Sequence, residues 1–496
     1  MDEEVKVRYK LKKQMLPSER EEIKEKKRHR NLMILICIVC LLIGIQVGLL
    51  IGFGKNAVAP LTGGDGTSLK YDIIKSYFDD LWLYANNYED LDGTLSEQAL
   101  HGMTYFEDDP YTTYQSNKEM NDFASSINMN FVGIGVSYTM NDDLPFILRV
   151  YKDSPAEKSG LLPGDIMMSV DGIDIRGKET DEIKELVLGE EGTKVTIGIN
   201  RQGQDLVFEI NRGPVDSTVY AYEKDGILVL ELLSFGEHSY EECIKYLEPY
   251  KNHDKLIIDL RNNTGGYQTA VEKIAGLFLP EKSIVMRVVD KEGNEANSYV
   301  NSNVYYDNFK EIALLINGDT ASAAEVLTMA LVEQHPNTYT VGETSYGKGV
   351  VQSTIQLYDG SAIKLTTSKW LSSKGVWINE VGIKPQYEVL LHDALYEYYW
   401  SMEEDETYAY DSVSEFVRIA ETGLDYLDYD VKRTDGYFDE SFKLALEKFE
   451  AKHNLEVDGI LDDKTYTAIV SEVTRVYAVD DSKDVQLLKA LELIKG

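Results

Sequence analysis

The chain has 496 residues, 43% apolar and 10% aromatic, which allows real cores and excludes whole-chain disorder. With 50 Lys/Arg against 85 Asp/Glu the formal charge is −35, so a nucleic-acid-binding surface, which must be basic, is excluded. Three cysteines exclude a disulfide-framed mini-domain.

Residues 1–31 read as a basic tail, with 11 Lys/Arg and 7 acidic residues in the first 30. Residues 32–54 follow, 23 residues whose single polar side chain is Gln46. A bilayer core of about 30 Å needs about 20 apolar residues in a helix, so this run predicts a transmembrane helix rather than a buried core helix. Basic flanks stay cytoplasmic, which places the tail inside and residues 55–496 outside. Cleavage near Ala57-Val58-Ala59 is the rival. The apolar run exceeds the usual signal-peptide core of about 7–15 residues, and Pro60 is poor after a cut, so a retained anchor is favoured. The exported part carries 39 basic and 78 acidic residues, and Cys243 is its only thiol. An exported body without an internal disulfide fits an envelope lacking strong oxidative folding, such as a Gram-positive surface.

Residues 55–68 are Gly-rich and polar and read as a linker. Residues 69–128 show helical spacing through Ile73, Ile74, Tyr77, Phe78 and Leu81, broken by a turn at Asp109-Pro110-Tyr111-Thr112. Residues 129–212 alternate short apolar runs with Gly and Asp turns, and helical patches at 156–159 and 181–188 interrupt them. That pattern predicts a small β-barrel with two helices. Within it, Gly133-Ile134-Gly135-Val136 forms a glycine-flanked turn into a strand. Outward backbone N–H groups in such a turn suit a peptide C-terminal carboxylate, and the strand can pair with the peptide. With Ser154-Pro155-Ala156, Leu162-Pro163-Gly164-Asp165 and Val170-Asp171-Gly172 behind it, the segment resembles a PDZ domain.

Residues 213–390 alternate strand candidates (226–232, 255–260, 312–317, 339–341) with helical patches (240–247, 270–278, 322–334), which predicts a layered α/β domain. Residues 412–473 are helical and hold a faint repeat: Asp435-Gly436-Tyr437-Phe438-Asp439 recurs as Asp458-Gly459-Ile460-Leu461-Asp462. In each copy the last Asp is placed to cap the next helix. The segment resembles the small peptidoglycan-binding domain of bacterial wall enzymes; a generic helical bundle is the plainer alternative. An amphipathic helix at 482–496 closes the chain.

The seven His are scattered, and HExxH, a phosphate-binding loop and a Gly-x-Ser-x-Gly elbow are all missing, so no metal and no cofactor is expected. Three windows could carry chemistry. In Thr320-Ala321-Ser322-Ala323-Ala324-Glu325 a strand gives way to a helix, which exposes the Ser322 hydroxyl beside a helix N-terminus. A serine in that place more often only caps the helix. In Gly347-Lys348-Gly349, a lysine between glycines precedes an apolar strand; buried there, its amine would lose its proton easily and act as a base. A loop lysine in solvent is the alternative. Gln352 would lie about 13 Å away along an extended strand, so it reaches Lys348 only if the segment bends. In Asp259-Leu260-Arg261-Asn262-Asn263-Thr264-Gly265-Gly266 a strand ends in a glycine turn able to aim amides at one point, with Asp259 and Arg261 expected as a structural pair.

Together, in this order and behind a PDZ-like module, the three windows resemble the carboxyl-terminal processing peptidases over about residues 70–390. The resemblance implies a multidomain α/β chain: an N-terminal transmembrane helix and helical region, a PDZ-like β-barrel, a layered core of the ClpP/crotonase kind and a small helical C-terminal domain. It implies Ser322 as nucleophile, Lys348 as general base and Gln352 as its orienting partner. Gly265, Gly266 and Ala323 match the oxyanion positions, and Gly133, Ile134, Gly135 and Val136 the peptide-binding turn. The implied partners are protein or peptide substrates with free C-termini, the membrane through one helix, and peptidoglycan; a homodimer is compatible. Ala324, where many members carry Ser, and Tyr346, where many carry Phe, depart from the pattern without removing a dyad atom. The rival classes are an inert PDZ and wall-binding scaffold, an acyl-transfer enzyme of related fold, and a triad through His238.

Overall fold

The computed structural model describes residues 67–141, 143–402 and 406–495. The expected tail (1–31), transmembrane helix (32–54) and nearly all of the linker (55–68) lie outside the described residues. Among the described residues no helix is long and apolar enough to cross a membrane.

The chain divides into two compact units, up to Ser96 and from Glu97 onward. The first holds α1 (Thr67–Leu81) and the start of α2 (Leu91–Thr104). Lys75 pairs with Asp92 at 2.7 Å and Tyr71 hydrogen-bonds Ser96 at 2.9 Å. Ile73, Ile74, Tyr77 and Leu81, whose spacing predicted the helix, keep large exposed areas.

The second unit takes the rest of α2, then β1 (Thr113–Gln115) and α3 (Asn117–Asn128), the latter opened by a reciprocal Ser116–Glu119 cap. The barrel then runs β2 (Phe131–Gly133), β3 (Val136–Asn141), β4 (Leu144–Val150), α4 (Pro155–Ser159), β5 (Ile166–Val170), β6 (Ile173–Asp174), α5 (Thr180–Val187), β7 (Lys194–Arg201), β8 (Gln204–Asn211) and β9 (Gly213–Val215). Alternating inward residues such as Val195, Ile197 and Ile199 fill its core, as period-2 spacing requires.

The α/β core is built from β10 (Val219–Lys224), β11 (Ile227–Leu232), α6 (Ser239–Leu247), β12 (Lys255–Asp259), α7 (Gln268–Ala275), β13 (Ile284–Asp290), β14 (Glu295–Tyr299), β15 (Glu311–Ile316), α8 (Ala323–Gln334), β16 (Thr338–Gly342), β17 (Val350–Gln356), β18 (Ala362–Leu371) and β19 (Tyr387–Glu388). One sheet has the order β10-β11-β12-β15-β16-β19, parallel from β11 on. Its strands read as continuous apolar runs because both faces are covered. Helices α6, α7 and α8 cover one face, and α12 (Val485–Lys495) covers the other through Leu487, Leu491 and Ile494. A second, antiparallel sheet joins β1, β18, β13, β14 and β17. The sequence reading had no place for it: β17 is exposed over Ser353–Gln356, so its apolar alternation is weak.

The helical module holds β20 (Thr407–Tyr408), α9 (Glu415–Tyr426), α10 (Glu440–His453), β21 (Leu461–Asp462) and α11 (Asp463–Val479). The repeat has a physical basis. Asp439 accepts from the Phe442 amide at 2.9 Å and Asp462 from the Thr465 amide at 2.8 Å, capping α10 and α11. Buried Glu421 accepts from the Gly436 amide at 2.8 Å, and buried Glu450 from the Gly459 amide at 3.1 Å. Burial pushes both carboxyls up to about 7. Helix α11 runs past the expected end at 473, because Val476 and Tyr477 continue its packed face. The module is not a free appendage. Phe146 of β4 and Ile166 of β5 belong to the same core as Val417, Phe442 and Ile469, the Ser471 hydroxyl donates to the Gly164 carbonyl, and Gln202 donates to Glu472 at 2.6 Å.

Candidate active site

The three windows singled out in the sequence leave the carboxyl ends of three adjacent parallel strands: 260–266 after β12, 317–322 after β15 and 343–349 after β16. That edge of an open α/β sheet is where ligands bind. The turns brace one another. The Thr320 hydroxyl donates to the Leu260 carbonyl at 2.9 Å, the Ala321 amide to the Asn263 carbonyl at 2.9 Å, and the Tyr346 amide to the Thr320 carbonyl at 3.0 Å.

Ser322 caps α8 with φ +55° and ψ −118°, a region a non-glycine residue holds only when its surroundings enforce it. The enforcing group is Glu325, fully buried. Its carboxylate accepts from the Ser322 amide (2.8 Å), the Ser345 hydroxyl (2.6 Å), the Gly347 amide (2.7 Å) and the Lys348 amide (2.9 Å). One carboxylate therefore fixes the Ser322 loop and the Lys348 loop together. Two indoles fix the other side of the lysine loop: Trp370 Nε1 donates to the Lys348 carbonyl and Trp377 Nε1 to the Gly349 carbonyl, each at 2.8 Å.

The Lys348 ammonium lies 4.5 Å from the ring centre of Tyr111. Burial pushes its pKa down to about 8, the charge of Lys364 pushes the same way, and Glu325 opposes both. Gln352 donates to the Thr366 hydroxyl at 3.4 Å, and that hydroxyl donates to Asp109 at 2.8 Å. Strand β17 carries a register shift at Val351/Gln352, the bend that an approach of Gln352 to Lys348 demands. Among the described residues neither Gln352 nor the Ser322 hydroxyl hydrogen-bonds the Lys348 amine. All three line one cavity of about 1530 Å³.

The glycine turn separates its two glycines. The Gly265 amide is committed to Asn263 Oδ1 at 2.8 Å, so Gly265, expected among the oxyanion donors, is not a free donor in this structure. A Cβ there would come within 2.8 Å of the Ser322 Cβ, and its φ of +108° disfavours any side chain. The amides of Gly266 and Ala323 have no acceptor among the described residues. Gly265→Ala is expected to lower kcat/KM by about 100-fold with little change in the circular dichroism spectrum, because displacement near 1 Å at a reacting centre costs that much.

The same cavity extends into the barrel, between Ile134, Val136 and Tyr138 on one side and Thr180, Lys184 and Val187 on the other. The Ile134 and Gly135 amides have no acceptor among the described residues. Gly135 has φ +83°, and a Cβ there would overlap Ser154. Gly133 instead pairs with Gly213 behind the turn. Arg149 of β4 forms an ion pair with Glu231 of β11, joining barrel to core at the cavity wall. No histidine lines the cavity, and His238 is exposed, which leaves the His238 triad without support. Among the described residues no cluster could hold a metal ion.

Residues 226–389 match the model of Peptidase family S41, 146–201 that of a PDZ domain and 413–469 that of a putative peptidoglycan binding domain. The carboxy-terminal processing protease CtpA of Bacillus subtilis (strain 168) is 33% identical over 410 residues, 82% of this chain and 86% of the relative. The chain belongs to peptidase family S41, the carboxyl-terminal processing proteases. This S41 chain is also 31% identical over 441 residues to a probable CtpA-like serine protease of Staphylococcus haemolyticus (strain JCSC1435), covering 88% of this chain and 87% of that one. Among solved structures, the photosystem II D1 C-terminal processing protease aligns over 65% of this chain and 92% of its own, at 21% identity and TM-score 0.42.

The protein is a serine-type peptidase. In this S41 core, sequence reasoning missed Glu325, Asn263, Tyr111 and the Asp109–Thr366 pair. Glu325 was visible three residues after Ser322, the spacing of a reciprocal helix cap, but its other donors lie 20 or more residues away. The Asp259–Arg261 pair is structural as expected, closing at 2.6 Å and extended to Asp484 at 2.8 Å.

Proposed function

We propose that this S41 peptidase is anchored by residues 32–54 with its body outside the cell membrane of a Gram-positive-type bacterium, where it cuts exported proteins near their C-termini with a Ser322/Lys348 dyad. The observation that carries this reading is the single cavity joining the barrel groove to Ser322 and Lys348. A C-terminal strand held at the Ile134–Gly135 amides extends from the groove toward the nucleophile. The barrel supplies recognition, and the helical module supplies contact with peptidoglycan.

In the reaction Ser322 Oγ attacks the scissile carbonyl, and Lys348 Nζ takes its proton and passes it to the leaving amine; water, deprotonated by the same amine, then cleaves the acyl-Ser322 ester and returns the proton to Ser322 Oγ. The Gly266 and Ala323 amides receive the oxyanion. Gln352 orients the Lys348 amine once peptide fills the cleft and draws the two side chains into reach, as hydrogen bonds that are long without substrate tighten in the complex.

The test is incubation of the full chain in detergent with an unfolded protein, with products mapped by mass spectrometry. Cuts near the C-terminus are expected, and intact substrate or cuts spread evenly along it would overturn the reading. The base works only as a free amine. With its pKa pushed down to about 8, kcat/KM is expected to fall about tenfold per pH unit below that value and to level off above it. A profile flat from pH 6 to 10 would exclude Lys348 as the base.

A further inference from the structure

Lys364 is a further lysine in the cleft; its charge helps to lower the Lys348 pKa, and it takes no proton in the dyad chemistry. It stands on β18 opposite Thr354 of β17, with its ammonium 4.4 Å from the ring centre of Phe123 on α3. It is half-buried, and it lines the same cavity as Ser322, Lys348, Gln352 and Thr354. Among the described residues no carboxylate pairs with it, although the chain carries 85 acidic side chains against 50 basic ones. A cation withdrawn from water gives up its proton more readily, as burial makes Lys364 do, and an anion that joins it restores the charged form. Its wall is mixed: beside Phe123, Ile127 and Val350 stand the hydrogen-bonding side chains of Gln352 and Thr354 on β17 and Ser126 on α3, which can share a carboxylate with it.

We propose that Lys364 is a carboxylate-binding residue of the peptidase cleft, gripping a carboxylate of the bound peptide on the wall formed by β17, β18 and α3. This rests on the peptide-cleaving reading of the cleft. The carboxylate can be the peptide's terminal α-carboxylate or an Asp or Glu side chain; the chemistry is the same. The site is distinct from the amide turn at Ile134–Gly135, which uses backbone donors in the barrel.

Three fluorescent peptides of equal length test this: one with a free C-terminus, one amidated, and one amidated with a Glu near its end. Affinities are read by anisotropy on the full chain carrying Ser322→Ala, with and without Lys364→Met or Lys364→Arg. A charge-assisted hydrogen bond is worth about tenfold in affinity, so one or both carboxylate peptides should bind about ten times tighter than the plain amide. In Lys364→Met that advantage should shrink about tenfold; in Lys364→Arg it should persist. A preference for the free terminus identifies the α-carboxylate, and a preference for the Glu peptide identifies a side chain. A terminal-carboxylate preference unchanged by Lys364→Met belongs to the barrel and overturns the proposal, as does equal affinity for all three peptides. Because the readout is binding, failure of the unsubstituted chain to cleave any peptide would count against the peptidase reading alone.

Discussion

Ser322→Ala is expected to lower peptide hydrolysis by at least ~10⁴-fold, with the thermal unfolding midpoint unchanged within error. Only Oγ is removed. The anchors of the loop, the Ser322 amide on Glu325 and the Ala321 amide on Asn263, are backbone groups and survive. Ala meets the same positive-φ cost as Ser, so the strain is conserved. Lys348→Ala should be as severe, because a neutral serine is a weak nucleophile without its base. Lys348→Arg should not rescue it, since a guanidinium stays protonated at any working pH. The double variant Ser322→Ala/Lys348→Ala should be no worse than either single one, because groups acting as one unit lose their effect together. The check is kcat/KM on a peptide substrate; residual activity above a hundredth in either single variant would dismiss the dyad.

Glu325→Ala has the second largest expected effect and a different signature. It strips acceptors from three amides and a hydroxyl, two of these bonds buried and two half-buried. Stranding buried donors costs about 1–3 kcal/mol each, so a total loss of about 3–5 kcal/mol after relaxation is expected in denaturant unfolding. Activity should also fall by about 100-fold at temperatures where the variant is still folded, because Ser322 and Lys348 lose their common tether. Glu325→Gln should be intermediate: the amide oxygen still accepts, while its NH2 faces donors. A variant that loses stability yet retains full kcat would show that Glu325 holds the fold and not the geometry of attack.

The parts of the candidate site that were legible in the sequence share one property. Each lies in a short polar turn after an apolar run, so strand-then-turn patterning exposes it without knowledge of the fold; Ser322, Lys348 and Gly266 are of this kind. What escaped depends on long-range closure. Nothing near Tyr111 in sequence announces that it will lie against the Lys348 ammonium, 237 positions later in the chain. Asp109 was visible as a turn residue, while its bond to Thr366 exists only because β1 pairs with β18. The two glycines after β12 looked equivalent, and only the Asn263 side chain makes them different. Phe146 and Ile166 lie in apolar runs of the barrel, and an apolar residue in a strand does not say which neighbour covers it.

That shared packing has a thermodynamic consequence. With Phe146 and Ile166 inside the core of α9–α11, barrel and helical module cannot melt independently without exposing each other's apolar surface. A sugar or peptide bound at saturating level to the helical module, at 100 times its Kd, adds about 2.7 kcal/mol to the folded state. By linkage the barrel amides share that gain. Slowed hydrogen exchange in β4 and β5 would then report occupancy of the helical module in a segment that touches none of its ligand.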